Sequence, residues 1–289
     1  MALEIFHTGL PRTFLGVPND YDKSKYAVLS DPYDSTASYG VGMRFGPHAI
    51  IEASRQVETY DIELGRNFET AGIYTCDELE VHRGSPEKNC LYVQEAVEAV
   101  LKEKRIPILL GGEHSVSVGA FNAFAAAGKA KDISVLQIDA HADMRQEYEG
   151  TPYNHACVMR RCREKFHAVS VGIRSHTEEE AEAIAKGKLD IFGVDFKAEE
   201  VVKKLKENVY VTIDLDGFDP SECPAVGTPE PGGLRWKQVC ELLRLVASKR
   251  KVVGFDVVEL CPIPGNTVSD FLAARLVYKI IGYIETGKK

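Results

Sequence analysis

The sequence lacks the features that would direct it out of a reducing compartment or into a membrane. It has no apolar run long enough to span a bilayer, and its start has no basic segment followed by an apolar one, as a secretory signal would. Its seven cysteines form no C-x-x-C pair, and an odd count without a secretory segment favours reduced thiols. We therefore predict a soluble, cytoplasmic protein.

The chain also lacks the excess of basic residues that a nucleic-acid or anionic-membrane surface needs. Lysine and arginine together number 35 against 43 aspartates and glutamates, which gives a formal net charge of -8. This balance excludes nucleic acid and membrane as expected partners, and it suits a small cationic substrate better.

No repeat, low-complexity segment or Pro/Ser-rich linker divides the chain, so residues 1–289 are expected to form a single domain. Short apolar runs alternate with longer amphipathic stretches, which predicts a three-layer α/β/α fold around a mostly parallel sheet. The predicted strands are 26–29, 106–110, 133–138, 168–173, 190–194, 209–213 and 251–257. The predicted helices are 89–103, 118–127, 178–186, 199–207 and 236–248. Residues 30–77 are less regular and are expected to wrap the sheet edge and one rim of the site.

Four of the predicted strands run directly into acids or imidazoles. Open parallel sheets hold their ligands just beyond the carboxyl ends of their strands, so these positions are where chemistry is expected. Strand 106–110 leads into GGEHS, strand 133–138 into DAHAD, and strand 209–213 into DLDGFDP. Strand 251–257 leads, through Val258, into Glu259.

The spacing within these motifs predicts a metal site. In extended chain every second side chain shares a face, so the alternate polar residues of DAHAD and DLD are expected to point into one crevice. Four carboxylates packed together with two imidazoles would repel one another without cations, and two divalent metal ions would cancel that charge. Oxygen-rich ligation favours Mn²⁺, although sequence does not fix the metal. The candidate ligands are His114, Asp139, His141, Asp143, Asp214 and Asp216.

Each motif alone has an ordinary structural explanation, as a capped turn or a tight Gly-Gly turn. Three of them at successive strand ends favour the metal site. Asp219, next to Pro220, is more typical of a turn residue than of a ligand. The histidines outside any ligand spacing are expected to be solvated or structural: His7, His48, His82, His167 and His176.

In order and spacing, GGEHS, DAHAD, DLDGFDP and the later GFDVVELCP resemble the signatures of the ureohydrolases, the arginase and agmatinase family. Residues 34–50 look like the rim segment of its agmatinase branch. The resemblance implies an arginase-like fold and an enzyme acting on linear amidines. It implies hydrolysis of agmatine to putrescine and urea, as in polyamine biosynthesis. It also implies a homo-oligomer, a trimer or hexamer.

By this resemblance two Mn²⁺ ions would share two bridging ligands, Asp139 and Asp214. One ion would also bind His114 and Asp143, and the other His141 and Asp216. Position 113 is glutamate where many relatives have aspartate before the histidine, and we interpret it as supporting the ligands from behind.

The resemblance also assigns catalytic roles to His155, Glu259 and Asp143. Metal ions can activate water near neutral pH, and the departing amine then needs a proton, which an imidazole such as His155 suits. Glu259 would orient the guanidinium, since a planar guanidinium can donate two parallel hydrogen bonds to one carboxylate.

Substrate choice depends on the rim. Arginase-type enzymes resemble this chain less there: Arg145 stands where they have asparagine, and residues 175–177 are not acidic. Glu147 and Glu149 in the loop of Arg145 favour a terminal ammonium, as in agmatine, although Arg145 could pair with a carboxylate. Aminopropylagmatine, guanidinobutyrate and arginine remain alternatives. Rivals outside the family are a single-zinc amide deacetylase and a non-catalytic metal-binding scaffold.

Overall fold

Strands and helices alternate along residues 11–287, the part of the chain that the computed structural model describes. The strands are β1 (Tyr26–Asp31), β2 (Tyr60–Asp61), β3 (Arg66–Asn67), β4 (Ile73–Thr75), β5 (Ile106–Gly111), β6 (Ile133–Ile138), β7 (His167–Val171), β8 (Asp190–Ile191), β9 (Asn208–Asp214) and β10 (Lys251–Val258). The α-helices are α1 (Gly46–Ser54), α2 (Pro86–Lys102), α3 (Ser117–Ala126), α4 (Val158–Arg163), α5 (Glu178–Gly187), α6 (Ala198–Lys204), α7 (Trp236–Lys249) and α8 (Val268–Thr286).

Eight of these strands form one sheet in the order β4-β1-β5-β10-β9-β6-β7-β8. Every pairing in it is parallel, which confirms the expected parallel sheet. The remaining two, β2 and β3, form a short antiparallel hairpin. Parallel strands covered on both faces are typically apolar throughout, and all six residues of β6 are buried.

Two buried clusters lie on opposite faces of the sheet. Tyr26 and Val28 belong to a cluster that includes side chains of α7 and α8, whereas Ala27 and Leu29 belong to one that includes side chains of α2 and α3. Because successive side chains of a strand point to opposite faces, helices cover both sides of the sheet. This confirms the three-layer α/β/α arrangement.

All seven predicted strands and all five predicted helices are present, with small differences at their ends. The largest differences, of three residues each, are in α2, which begins at Pro86, in β8, which stops at Ile191, and in α6, which stops at Lys204. Residues 30–77 do reach the sheet edge, where β4 pairs with β1. The regular elements that this region contains, α1, β2, β3 and β4, were not predicted, because the strands in it are too short for alternation to be read.

Helix α8 was also missed, along with the short α4. Residues 276–283 of α8 are buried without a break, so this helix has no polar stripe and no amphipathic pattern to detect. It is the longest described helix. Neither α8 nor any other helix within residues 11–287 has the length and apolar character of a membrane span.

The strand order brings the motif-bearing strands side by side. The four strands that lead into GGEHS, Glu259, DLDGFDP and DAHAD are β5, β10, β9 and β6, and they are consecutive in the middle of the sheet. Because all four run in the same direction, their carboxyl ends meet at one edge, and the motifs converge there.

Candidate metal centre and substrate pocket

The predicted ligands approach one another through turns as well as through strand ends. Asp214 is the last residue of β9, but Asp216 lies in a 3₁₀ turn, Leu215–Gly217. Asp143 has a left-handed backbone, with φ of 51°. The expectation that each motif continues as extended chain is therefore wrong at these two residues. The Asp214 carboxylate accepts the amide N–H of Asp216 at 2.8 Å, and this bond favours the turn over further strand.

His114 is fully buried among three carboxylates. Its Nδ1 lies 3.2 Å from Asp139 Oδ2, 3.1 Å from Asp143 Oδ2 and 3.4 Å from Asp214 Oδ2. None of these oxygens is aligned to accept a hydrogen bond from Nδ1, which is a buried nitrogen without a hydrogen-bond partner. Three oxygens around one unpartnered ring nitrogen fit a shared cation better than they fit a hydrogen-bonded cluster.

A second group of ligand atoms adjoins the first. His141 Nδ1 lies 2.9 Å from Asp216 Oδ2 and 3.8 Å from Asp139 Oδ1. Among the described residues, His114, Asp139 and Asp214 could hold one metal ion, and Asp139, His141 and Asp216 could hold another. Asp139 belongs to both groups.

The charges in this cluster are poorly balanced by the protein alone. Burial, followed by the charges of Asp143 and Asp216, raises the pKa of Asp139 to about 7. Burial also raises the pKa of Asp214 well above its ordinary range. Burial would raise the pKa of Asp216 too, but the hydrogen bond and charge of His141 lower it to about 2. Divalent cations would relieve this repulsion, so the donor set fits a metal centre.

The Nε2 side of the His114 ring contacts a series of buried, hydrogen-bonded side chains that was not predicted from the sequence. His114 Nε2 lies 2.9 Å from Thr212 Oγ1, and the Thr212 hydroxyl donates to Asp256 at 2.6 Å. Tyr210 donates to the other Asp256 oxygen at 2.9 Å. Since the Thr212 proton goes to Asp256, its oxygen accepts from Nε2–H, and the Nδ1 lone pair is left to face the carboxylates. A threonine and an aspartate inside two buried apolar strands were the signal available in the sequence.

His155 begins a 3₁₀ turn, His155–Cys157, whose N-cap is Asn154. The Asn154 side chain caps this turn by accepting the N–H of Ala156 at 3.0 Å. The imidazole of His155 lines the cavity above the predicted ligands. Burial lowers its pKa, against the opposing charge of Asp143, which favours the neutral ring. A neutral ring can take up a proton and release it again.

Glu259 follows β10 and faces the same cavity. Its Oε1 accepts the amide N–H of His114 at 2.6 Å, and its own N–H donates to the carbonyl of Gly112 at 2.7 Å. The backbone at Glu259 is left-handed, with φ of 67°, a strained conformation that is common where a side chain serves a function. Burial raises the pKa of Glu259 well above its usual value.

Five of the six predicted ligands, all but Asp139, line a cavity of about 280 Å³ together with His155 and Glu259. Its lining also includes Arg145, Tyr148 and residues 175–177, which are partly or fully exposed. His176 is exposed, as expected for a solvated histidine, but it also lines the cavity, unlike His48, His82 and His167. His7 lies outside the described residues.

Glu180 is a second cavity residue that the sequence analysis missed. It belongs to the capping box of α5, in which its carboxylate accepts the N–H of Thr177 at 2.8 Å. It also accepts the N–H of Met144 at 2.8 Å, which ties α5 to the loop after Asp143. The T-x-x-E pattern at 177–180 could have revealed it. Asp219, by contrast, fixes a turn as expected, by accepting the N–H groups of Ser221 and Gly233 at 3.0 Å each.

Comparison with known proteins extends these observations. Residues 24–282 match the family model described as the Arginase family. An N(1)-aminopropylagmatine ureohydrolase from Synechocystis sp. is 36% identical, over 96% of this chain and 95% of its own length. An agmatinase from Halalkalibacterium halodurans is 34% identical, over 87% and 89%. The solved agmatine ureohydrolase of Thermoplasma volcanium is 36% identical and superposes with a TM-score of 0.87, covering 95% of this chain and 94% of that one.

Proposed function

The chain belongs to the arginase family and is a hydrolase of the ureohydrolase type, and we propose that its reaction is agmatine plus water to putrescine plus urea. The observation that carries this proposal is the pair of overlapping ligand groups at Asp139, with His155 and Glu259 lining the same cavity. A single-metal deacetylase would not need the second group. A scaffold without activity would not need the two additional cavity residues.

We propose that the site binds two divalent metal ions, Mn²⁺ in the first place, because oxygen ligands dominate the donor set. His114 and Asp143 would hold one ion, His141 and Asp216 the other, with Asp139 and Asp214 shared between them. Two divalent cations held by these residues would supply an activated water nucleophile near neutral pH. Membership of Asp139 in both ligand groups supports its bridging role.

The chain's own residues would then position the substrate and move a proton. Glu259 keeps Oε2 and a lone pair of Oε1 available beside its bond to His114, and we propose that it accepts hydrogen bonds from the guanidinium. Holding the guanidinium carbon in this way makes the attack nearly unimolecular. His155 would take up the proton that the attacking water releases and would pass it to the departing amine. Asp143, beside His114 and the cavity, would help to hold the reacting groups.

The preference for agmatine depends on charges at the outer end of the cavity. Glu147 and Glu149, on which the sequence argument relied, do not line it, but Glu180 does and favours a terminal ammonium. Arg145 is the opposing charge. Its guanidinium stacks 4.3 Å from the centre of the Tyr148 ring. Arg145 therefore supports a second candidate, a guanidino acid such as guanidinobutyrate. Aminopropylagmatine is a further candidate, since it is the substrate in the name of the Synechocystis relative.

The test is a urea-release assay with Mn²⁺-loaded protein on agmatine, aminopropylagmatine, guanidinobutyrate and arginine. We expect agmatine to have the highest kcat/KM, and arginine to be at least about 10²-fold lower, because Arg145 stands in place of an asparagine and residues 175–177 carry no acidic group to recognise its α-amino group. Arg145→Gln serves as the comparison variant, since it should lower turnover of guanidinobutyrate selectively if a carboxylate binds there. If arginine or guanidinobutyrate is best, the agmatine assignment is wrong. Absence of urea from all four substrates at full metal loading would favour the non-catalytic scaffold.

We also propose that the enzyme works in the cytoplasm as a homo-oligomer. All seven cysteines are free thiols, as a reducing compartment would keep them. Large apolar side chains are exposed at Val41, Phe45 and Ile62, and contact between subunits would cover such groups. Light scattering at working concentration distinguishes a monomer from a trimer or hexamer.

A further inference from the structure

Glu113, the position at which the motif departs from many relatives, anchors residues 34–38 to the end of β5. Its carboxylate is fully buried. Oε2 accepts the amide N–H of Thr36 at 2.7 Å, and Oε1 accepts the Thr36 hydroxyl in a short hydrogen bond. Oε1 also accepts the hydroxyl of Ser115 at 2.6 Å. Two of the three groups that donate to the Glu113 carboxylate therefore belong to Thr36, which is 77 positions away in sequence.

Thr36, which is held by Glu113, in turn contacts His155. The backbone N–H of His155 donates to Thr36 Oγ1 at 3.2 Å, and the ring Nδ1 lies 3.5 Å from the same oxygen. The other ring nitrogen, Nε2, lies 3.5 Å from the hydroxyl oxygen of Ser38. The imidazole thus sits between two hydroxyls of residues 34–38, and within residues 11–287 these are its ring's only hydrogen-bonding neighbours.

The directions of these hydrogen bonds connect Glu113, Thr36 and His155 in series. A carboxylate can only accept, so the Thr36 hydroxyl must donate its proton to Glu113. The lone pairs of that hydroxyl are then left for His155, which contacts them through its backbone N–H and through Nδ1. The ring also packs against the Tyr148 ring in an edge-to-face arrangement, with ring centres 6.1 Å apart. An aromatic edge restrains the ring less in direction than hydrogen bonds do.

We propose that Glu113 and Thr36 are positioning residues that hold the His155 imidazole at the cavity. The inference rests on the proposed role of His155 as the proton donor. It assigns a purpose to Glu113 and explains how residues 34–38, far from the ligands in sequence, contribute to the reaction. Neither Glu113 nor Thr36 lines the cavity. Loss of either should therefore affect proton delivery and leave binding of substrate and metal in place.

The experiment is a mutant cycle on Mn²⁺-loaded protein with the best substrate from the panel. Thr36→Val keeps the side-chain shape but removes the hydroxyl, and it should lower kcat about 10-fold, with KM within about 2-fold and unchanged metal content. Thr36→Ser should restore most of kcat. In a His155→Ala background, Thr36→Val should have no further effect, because the group that it positions is absent. Glu113→Gln should lower kcat by a similar factor and be non-additive with Thr36→Val.

Thr75→Val is the matched control. Thr75 is also buried and accepts a backbone N–H, from Phe14 at 2.9 Å, but it lies on β4 at the sheet edge. It should lower the melting temperature without changing kcat. Unchanged kcat in Thr36→Val, or an equal loss with and without His155, would overturn the positioning role while the hydrolase assignment stands. Absence of urea release from the wild-type protein would instead overturn the proposed function and this inference with it.

Discussion

At the scale of single residues, the carboxylates of the site are not equivalent. Asp139 belongs to both candidate ligand groups, whereas Asp214 contacts His114 on one side and caps the turn of Asp216 on the other. A shared ligand has no substitute when it is removed, because every other donor except the second bridging carboxylate would bind one ion only. Loss of a shared carboxylate should therefore remove metal and activity together.

We expect Asp139→Asn and Asp214→Asn to lose bound metal and urea release in parallel. An amide keeps the size of the side chain but is a weaker, neutral ligand, and it cannot balance two cations. Metal content by elemental analysis, measured with kcat on the same samples, checks this expectation. Asp219→Asn is the control, because that carboxylate serves a turn. Two ions per subunit in Asp139→Asn would show that the bridging assignment is mistaken.

His155→Ala should lose activity without losing metal, unlike the two aspartate variants. We expect it to keep both metal ions and to lower kcat by about 10²-fold or more, which is the usual loss for a positioned acid-base group. Added imidazole should restore part of the rate, since a small base can enter the space left in the cavity. Turnover equal to that of the wild-type protein would remove His155 from the mechanism, and loss of metal would make it a ligand instead.

At the scale of elements, α8 stabilises the hairpin of β2 and β3 through a buried charge. Lys279 is only 7% exposed, and its ammonium lies 2.9 Å from Asp61 and 2.6 Å from Glu63. Asp61 is completely buried, and its remaining basic neighbour, Arg275, is 3.7 Å away. Removing one partner of a buried pair leaves an uncompensated charge, which costs more than the pair itself contributes.

Lys279→Ala should lower the free energy of unfolding by about 3 to 5 kcal/mol, as measured by urea denaturation. Lys237→Ala is the matched control. Its ammonium is 3.9 Å from Glu241 on the exposed face of α7, and the change should stay below about 0.5 kcal/mol. Equal effects of the two substitutions would mean that the Lys279 pair does not anchor the hairpin.

At the scale of the whole molecule, we propose that the chain is one domain that unfolds in one transition. Strand β10, from the end of the chain, lies between β5 and β9, so the sheet cannot be divided along the sequence without breaking its centre. Stability of such a unit depends on every buried ionisable group, including those outside the site. Asp31 is one of them, at 1% exposure, with a hydrogen bond to Asn89 at 2.7 Å and an unpartnered Oδ1.

Burial raises the pKa of Asp31 from 3.8 to about 7. Between these two pH values the folded state therefore holds a proton on Asp31 that the unfolded state has released. The contribution of protonated Asp31 to the free energy of unfolding is fully present below pH 3.8, and it is lost as pH rises through about 7. Asp31→Asn cannot ionise and should gain about 2 to 4 kcal/mol relative to the wild-type protein between pH 4 and pH 8. Urea denaturation in EDTA measures this difference, with Asp132→Asn, at an exposed position, as control. A difference that does not vary with pH would contradict the expectation.

The sequence by itself determined the layers of the fold and the kinds of residue at the site. Apolar runs ending in acids and histidines identify buried parallel strands and their carboxyl ends, because periodicity and strand direction are local properties. The tertiary structure alone decided that β10 lies between β5 and β9, that Thr212 and Asp256 orient His114, and that Thr36 meets Glu113 and His155. Those relations join residues far apart in the chain. They depend on which strands become neighbours and on which polar groups are buried together, and neither is encoded in the spacing of any one motif.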